Sequence, residues 1–403
     1  MRRWNLSNYV TSCCVAAALV AGCGVQPPVG TPATNAQSRA LAAHGNTSNY
    51  KVLFRFLGPD GALPFASLVD VDGTLYGTTD RGGTYRRGTA FSITTSGTER
   101  ALYSFKGDFD GARPDASLID VKGTLYGTTW RGGGEGHGAV FSLTTGGVER
   151  VLYGFPLRRL GGGHPVASLI NVGGALYGTT EDGGAHHAGK VFSITTSGTE
   201  KVLYSFGPSP DGAGPRAGLI NVGGTLYGTT EYGGTYSDGT VFSIATSGAE
   251  KVLYSFVGGT DGSHPRAGLI DIDGTLYGTT SAGGYSGGTV FSITPSGSEK
   301  VVYSFAGGTD GSNPAAGLID VDGTLYGTTY LGGTYGNGTV FSVTTGGTEK
   351  ILHNFAGGSD GANPDAALLA VGGVLYGTAA HGGPHNRKCG HSPGCGTVFA
   401  LSP

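Results

Sequence analysis

The residues of this 403-residue chain that could do chemistry gather at two recurring places. One flanks a proline that returns about every 50 residues. Arg113 and Asp115 bracket Pro114, His164 precedes Pro165, Arg216 follows Pro215, His264 and Arg266 bracket Pro265, and Asp365 follows Pro364. The other place surrounds a Gly-Gly pair within each repeat. Successive repeats offer Asp80, Arg81, Tyr85, Arg86 and Arg87; Trp130, Arg131, Glu135 and His137; Glu181, Asp182, His186 and His187; Glu231, Tyr232, Tyr236 and Asp238; then Tyr285, Tyr330 and Tyr335. Aromatic rings beside carboxylates and guanidinium groups suit a sugar, which stacks on the rings and hydrogen-bonds to the charged groups. They suit a protein partner equally. Any one of these residues is more simply a solvated loop residue, so only their grouping carries weight. The candidate ligand-binding set is Arg81, Arg113, Asp115, Trp130, Arg131, Glu181, Asp182, His186, Arg216, Glu231, Tyr232, His264, Arg266, Tyr330 and Asp365.

Catalysis is less well signalled. The chain has no nucleophile elbow, no H-E-x-x-H and no phosphate-binding loop. Acidic residues of the Gly-Gly loops, Glu135, Glu181, Asp182, Glu231 and Asp238, could supply a carboxyl pair for glycoside hydrolysis, because separation defines such a pair. His186 and His187 could supply a base for a lyase. No catalytic residue, cofactor or metal is assigned. Asp-Gly recurs at Asp60, Asp110, Asp211, Asp261, Asp310 and Asp360. A calcium loop needs alternating oxygen ligands ending in a bidentate Glu, which these loops lack, so they read as turn formers. The third repeat breaks the pattern with Pro156 to Gly163.

The elements that must position these loops follow from the repeat itself. Leu-Tyr-Gly-Thr recurs seven times, at Tyr76, Tyr126, Tyr177, Tyr227, Tyr277, Tyr326 and Tyr376. A period near 50 residues marks one supersecondary unit and matches the kelch-type propeller blade. In the fifth repeat four runs rich in β-branched and aromatic residues stand between turn signals: Ala267 to Ile272, Thr275 to Thr280, Thr289 to Thr294 and Glu299 to Phe305. We term these strands A to D. Asp-Gly or Gly-Gly between A and B marks a hairpin whose central residues take positive φ. No run has helical apolar spacing. The expected fold is all-β: four-stranded antiparallel meanders arranged radially as a β-propeller. Small residues of strand A, such as Ala66, Ala116 and Ala217, would line the central channel.

The ends of the repeat region count the blades. It opens on a strand D, Tyr50 to Phe56, and closes on a strand C, Thr397 to Leu401. The N-terminal strand therefore completes the last blade, giving seven blades and leaving no exposed sheet edge. The D–A and B–C loops then emerge on one face, which collects the varied residues above. The monotonous A–B and C–D hairpins occupy the other. Tyr76 and its equivalents are the most conspicuous residues and read as packing between blades.

Residues 1–22 read as a targeting segment: Arg2 and Arg3, then a mostly apolar run too short to span a membrane. It ends Leu19-Val20-Ala21-Gly22-Cys23, which resembles a bacterial lipobox. That resemblance implies lipidation at Cys23, anchorage in the lipid bilayer and, with Gly24 next, sorting to the outer membrane. A plain secretory signal with a chance cysteine is the alternative. Residues 23–48 have the composition of a flexible tether, and 49–403 form the propeller. Cys389 and Cys395 are expected to pair as a disulfide in an oxidising compartment. The sharper alternative, a metal site with His381, His385 and His391, lacks the usual paired spacing. The formal charge is −3, and losing Arg2 and Arg3 with the signal lowers it by two, to −5. There is no basic stripe, so nucleic acid is not an expected partner. We expect a monomer.

Three segments recur in order over residues 49–403: G-T-L-Y-G-T-T, G-T-V-F-S-I-T and E-K-V-L-Y-S-F. They resemble the GloVer-type tandem repeat of bacterial exported proteins. The resemblance implies varied surface anchoring and transfers no activity or catalytic residue. The leading expectation is a non-enzymatic binding or scaffold module whose ligand, a glycan or a protein, sits on the D–A/B–C face. The alternative is a polysaccharide-acting hydrolase or lyase using acidic and His residues there.

Overall fold

The computed structural model describes residues 49–156, 163–384, 389 and 393–403. The targeting segment, Cys23, the tether, Leu157 to Gly162, His385 and His391 lie outside the described residues. Seven four-stranded antiparallel sheets form the domain. Blade one comprises Val69–Val71, Thr74–Thr79, Thr89–Thr94 and Glu99–Ser104. In blade seven Leu369–Val371, Val374–Ala379 and Thr397–Ser402 are joined by the N-terminal strand Asn49–Arg55. The last two strands pair from Asn49↔Ser402 to Arg55↔Thr397, so the chain closes its own ring as expected.

The repeated motif assigns one task to each residue. Its Leu is buried, as at Leu75 and Leu125. Its Tyr packs between blades: Tyr126 shares a cluster with Phe155, Leu169 and Phe192. Its Gly sits opposite a strand C phenylalanine, as in Gly127↔Phe141. A Cβ on Gly127 would lie 2.7 Å from the Phe141 ring and 2.8 Å from Leu118. The first Thr crosses to the next blade: Thr78 Oγ1 donates to the Ala116 carbonyl at 3.1 Å, and Thr229 Oγ1 to that of Ala267 at 3.0 Å. Thr378 Oγ1 donates to the Ala66 carbonyl at 3.1 Å, which carries this stitch across the closure. The phenylalanine ending each strand D meets the strand C phenylalanine of the next blade edge to face. Phe105–Phe141 centroids are 5.1 Å apart, and Phe56–Phe91 repeats that distance across the closure.

The A–B turns take the expected conformation, with φ of 50° at Asp72 and 80° at Gly73. Strand A is shorter than expected. Its ladder in blade five is only Ile270–Ile272, and the small residues before it line the channel without pairing. Crowding at the axis explains this: the inner backbones converge, and Gly218 and Gly268 stand close to the backbone of the preceding blade. Helical structure among the described residues is confined to three short 3₁₀ turns in D–A loops, Gly259–Asp261, Gly308–Asp310 and Gly358–Asp360, and a 3₁₀ residue at Cys389.

The Asp-Gly aspartates close their own loops. Asp110 accepts from the Tyr103 hydroxyl at 2.7 Å and the backbone N–H of Lys106 at 2.9 Å. Asp211, Asp261 and Asp310 repeat this with Tyr204, Tyr254 and Tyr303. Cys389 and Cys395 form a disulfide with Cα atoms 5.1 Å apart, and both are buried against Phe56 and Leu63. Among the described residues no helix is long and apolar enough to cross a membrane.

Candidate functional site

In every blade the D–A loop is knitted to the B–C loop that follows it. Ala112 pairs with Arg131, Gly163 with Asp182, Ser263 with Ala282 and Ala362 with His381; in blade four, Gly212 and Ala213 pair with Gly233 and Tyr232. The residue before the loop proline adopts left-handed backbone, with φ of 57° at Arg113 and 56° at His164 and His264. This bend turns the residue after the proline toward the axis. Seven such residues ring the channel mouth: Phe65, Asp115, Val166, Arg216, Arg266, Ala315 and Asp365. Below them lies a channel of about 480 Å³ walled by the small residues of the inner segments.

Two charge systems surround the ring. Between blades one and two, Asp80 is buried and paired with Arg113, Nε to Oδ1 2.5 Å, and with Arg81 at 3.2 Å. The Arg113 and Arg131 guanidinium groups lie 4.1 and 4.4 Å from the Trp130 ring centroid. The Trp130 indole N–H is buried without a hydrogen-bond partner among the described residues. Across blades three to five the chain of pairs runs Glu181–Arg216–Glu231–Arg266. Glu231 is fully buried and serves both arginines, each at 2.6 Å, while the arginine side chains remain 36% and 39% exposed. Tyr232 meets the His264 ring edge-on at 5.5 Å.

Proton affinities separate the acids of the mouth. Burial, then the nearby charge of Asp80, holds the Asp115 carboxyl well above the ordinary range. It is half-buried and lines the mouth, closely surrounded by protein. Burial pushes Asp365 up to about 7, against the pull of Arg266 and Arg216. Asp182 moves the other way: a 2.9 Å hydrogen bond with His164 Nδ1 holds its carboxyl below the usual value. The mouth therefore combines carboxyl groups of raised proton affinity with carboxylates paired to cations. Such divergence is what acid–base pairs require.

Most of the sequence-derived set converges here. Arg113, Asp115, Trp130, Glu181, Arg216, Glu231, Arg266 and Asp365 form the ring and its supports. Arg81, Arg131, Asp182, Tyr232 and His264 form the next tier. Tyr330 is half-buried, and the charge of Asp365 adds to burial in raising its phenol. His186 is exposed, stands beside Gly207 and is not among the residues lining the mouth. Phe65 was not singled out from sequence; its position after Pro64, equivalent to Asp115, Arg216 and Arg266, was the available signal. The letters G-x-S-x-G occur at Gly284 to Gly288, at Gly357 to Gly361 and at Gly390 to Gly394; the first two lie in loops with no following helix, and the serine of the third lies outside the described residues. Ser359 serves there as a backbone acceptor for Arg55. Among the described residues no cluster of three metal-ligating side chains occurs.

Fold and mouth together define a seven-bladed propeller with a loop-built site over its axial channel. The chain belongs to the Gloeobacter/Verrucomicrobia repeat family, whose model matches residues 40–242 and 209–399. No curated protein is similar to it in sequence. Among solved structures it is similar to virginiamycin B lyase from Staphylococcus aureus, with TM-score 0.57 and 14% identity over 88% of this chain and 99% of that one. It is also similar to puromycin hydrolase, with TM-score 0.52 and 14% identity over 80% of this chain and 50% of that one. At these identities the likeness is one of fold.

Proposed function

We propose that the protein is a lipid-anchored binding module of the bacterial cell envelope that holds a glycan at the channel mouth without transforming it. One observation carries the reading. Blades that are otherwise near-copies differ chiefly in the residues that converge on this mouth, and those residues are aromatic, guanidinium and carboxyl groups. A glycan is favoured over a protein ligand because the site is a concave mouth over a channel of about 480 Å³. Concave sites with a few convergent polar groups suit small ligands and chain segments. The anchor is Cys23, in the outer membrane, and the propeller acts as a monomer. Binding of the purified protein to a glycan array, with analysis of bound material for cleavage, tests the reading. Capture of intact glycan supports it; absence of any saccharide binding would reject it. Incorporation of a fatty-acid analogue, abolished by Cys23→Ser, tests the anchor.

The second reading is a polysaccharide-acting hydrolase or lyase. It draws support from the two acids of raised proton affinity, Asp115 and Asp365, the latter near 7 where a general acid or base operates. The fold likeness to a lyase and a hydrolase is compatible with it. New reducing ends or unsaturated products, lost in Asp365→Asn, would establish it in place of the first.

A further inference from the structure

The seven residues that ring the mouth are not arranged at random. Phe65, from blade one, stands at one pole. Arg216 and Arg266, from the adjoining blades four and five, stand at the opposite pole of the sevenfold ring. Asp115 and Asp365 lie on the two flanks beside Phe65, and the small apolar residues Val166 and Ala315 separate them from the arginines. The ring thus has an approximate mirror line through Phe65 and the arginine pair, although the blades that carry it are rotational repeats.

The arginine pole is built with care. Glu231, fully buried, accepts a hydrogen bond from Arg266 Nε at 2.8 Å and stands in ion-pair contact with Arg266 Nη2 and Arg216 Nε, 2.6 Å each. Glu181 holds Arg216 from the other side. These contacts use only part of each guanidinium's five donors, and both side chains line the mouth with more than a third of their surface exposed. The arginines are therefore fixed in orientation while retaining donors for a ligand. The nearest acids across the mouth do not fill that role, since burial disfavours the charged form of both Asp115 and Asp365. Lysine is also kept from the ring: apart from Lys106 and Lys190, every described lysine lies on an outer strand or at an A–B turn. A planar fork of donors, and not a diffuse positive charge, is what this pole presents. Such a fork matches a carboxylate.

We propose that the mouth selects a uronate-type sugar, with the ligand carboxylate on Arg216 and Arg266, the apolar face of its ring toward Phe65, and its hydroxyls toward Asp115 and Asp365. The proposal rests on the glycan reading above and names its substrate class. The test is calorimetric titration of the intact protein with an oligogalacturonate, a neutral oligogalactan of equal length and a sulfated one. The acidic uronate should bind at least about tenfold more tightly than the neutral chain, and Arg266→Lys, which keeps the charge but loses the fork, should remove most of that preference. Phe65→Leu should weaken the uronate and any neutral chain alike. Melting temperatures and circular dichroism of each variant establish that it is folded, and Arg216→Lys provides an independent second probe. Equal binding of neutral and uronate chains, or a preference untouched in both lysine variants, overturns the carboxylate assignment and leaves the glycan reading intact. Tighter binding of the sulfated chain overturns the assignment in favour of a tetrahedral anion. Absence of binding to all three rejects the uronate site, and the wider glycan reading then falls only if the array is also blank.

Discussion

Removing the Glu231 carboxylate is the perturbation whose consequence can be worked most fully from the structure. The side chain is wholly buried, accepts a hydrogen bond of 2.8 Å from Arg266 Nε and makes ion-pair contacts of 2.6 Å with Arg266 Nη2 and Arg216 Nε. Truncating one partner of a fully buried ion pair costs roughly 3–5 kcal/mol. Here the stranded partners are not fully buried: Arg216 and Arg266 are 36% and 39% exposed and can recover water. The cost of Glu231→Ala should accordingly fall to about 2 kcal/mol, nearer the range of a hydrogen bond to a charged group. For a domain of this size that corresponds to a melting-point drop of about 3 °C. The same variant frees both arginines to rotate, so affinity for a carboxylate ligand should fall even where the protein is fully folded. Differential scanning calorimetry gives the first quantity and titration calorimetry the second. Pairing Glu231→Ala with Arg266→Ala in a double-mutant cycle isolates the interaction. A melt indistinguishable from wild type, together with zero coupling in the cycle, would refute the view that Glu231 organises the arginine pole.

Further predictions concern the frame around the site. Burial and the neighbouring loop aspartates raise Glu99, Glu149, Glu250, Glu299 and Glu349 to about 7. Folding thus favours their protonated form: the contribution is full below pH of about 4.5 and is lost as pH rises through about 7. Melting temperature should decline from pH 5 to pH 8, and Glu→Gln at Glu149, Glu250 and Glu299 should flatten the decline; an identical slope in the triple variant would count against this. Gly127→Ala places a methyl group against Phe141 and Leu118 and should cost about 1–3 kcal/mol. Gly73→Asn, in an open turn at φ 80°, should cost a few tenths by comparison; equal losses would contradict the reading of the motif glycine. Deleting the closing strand Asn49–Arg55 should expose the edge of Thr397–Ser402 and shift the protein to soluble oligomers or aggregate in size-exclusion chromatography.

The architecture was legible because each blade repeats the same local instruction. Leu-Tyr-Gly-Thr, the Asp-Gly turn and the unpaired terminal strands all point to one ring, and local and global signals agree. The disulfide was legible for a similar reason, since two cysteines six positions apart had few other partners. The mouth was only partly legible. Arg113, Asp115, Arg216, Arg266 and Asp365 could be found because they flank a repeated proline. That the residue after the proline faces the axis depends on the left-handed residue before it, and nothing in the letters of Arg113 or His164 announces φ near 57°. Phe65 was hidden for this reason: beside Leu63 and Pro64 it reads as ordinary core. His186 stands at the exposed part of its loop, a placement the sequence of that loop does not announce. The pairing of Glu231 with arginines of two blades depends on inter-blade packing, which no single repeat encodes.

The central claim is that ligand is received at the D–A/B–C mouth, and hydrogen–deuterium exchange of the protein with and without bound glycan tests it most directly. Protection should appear in the D–A segments around Phe65, Arg216, Arg266 and Asp365 and in the loop that carries Glu231, with the A–B and C–D hairpins unchanged. Protection confined to those hairpins, with the mouth segments exchanging as in the free protein, would contradict the claim.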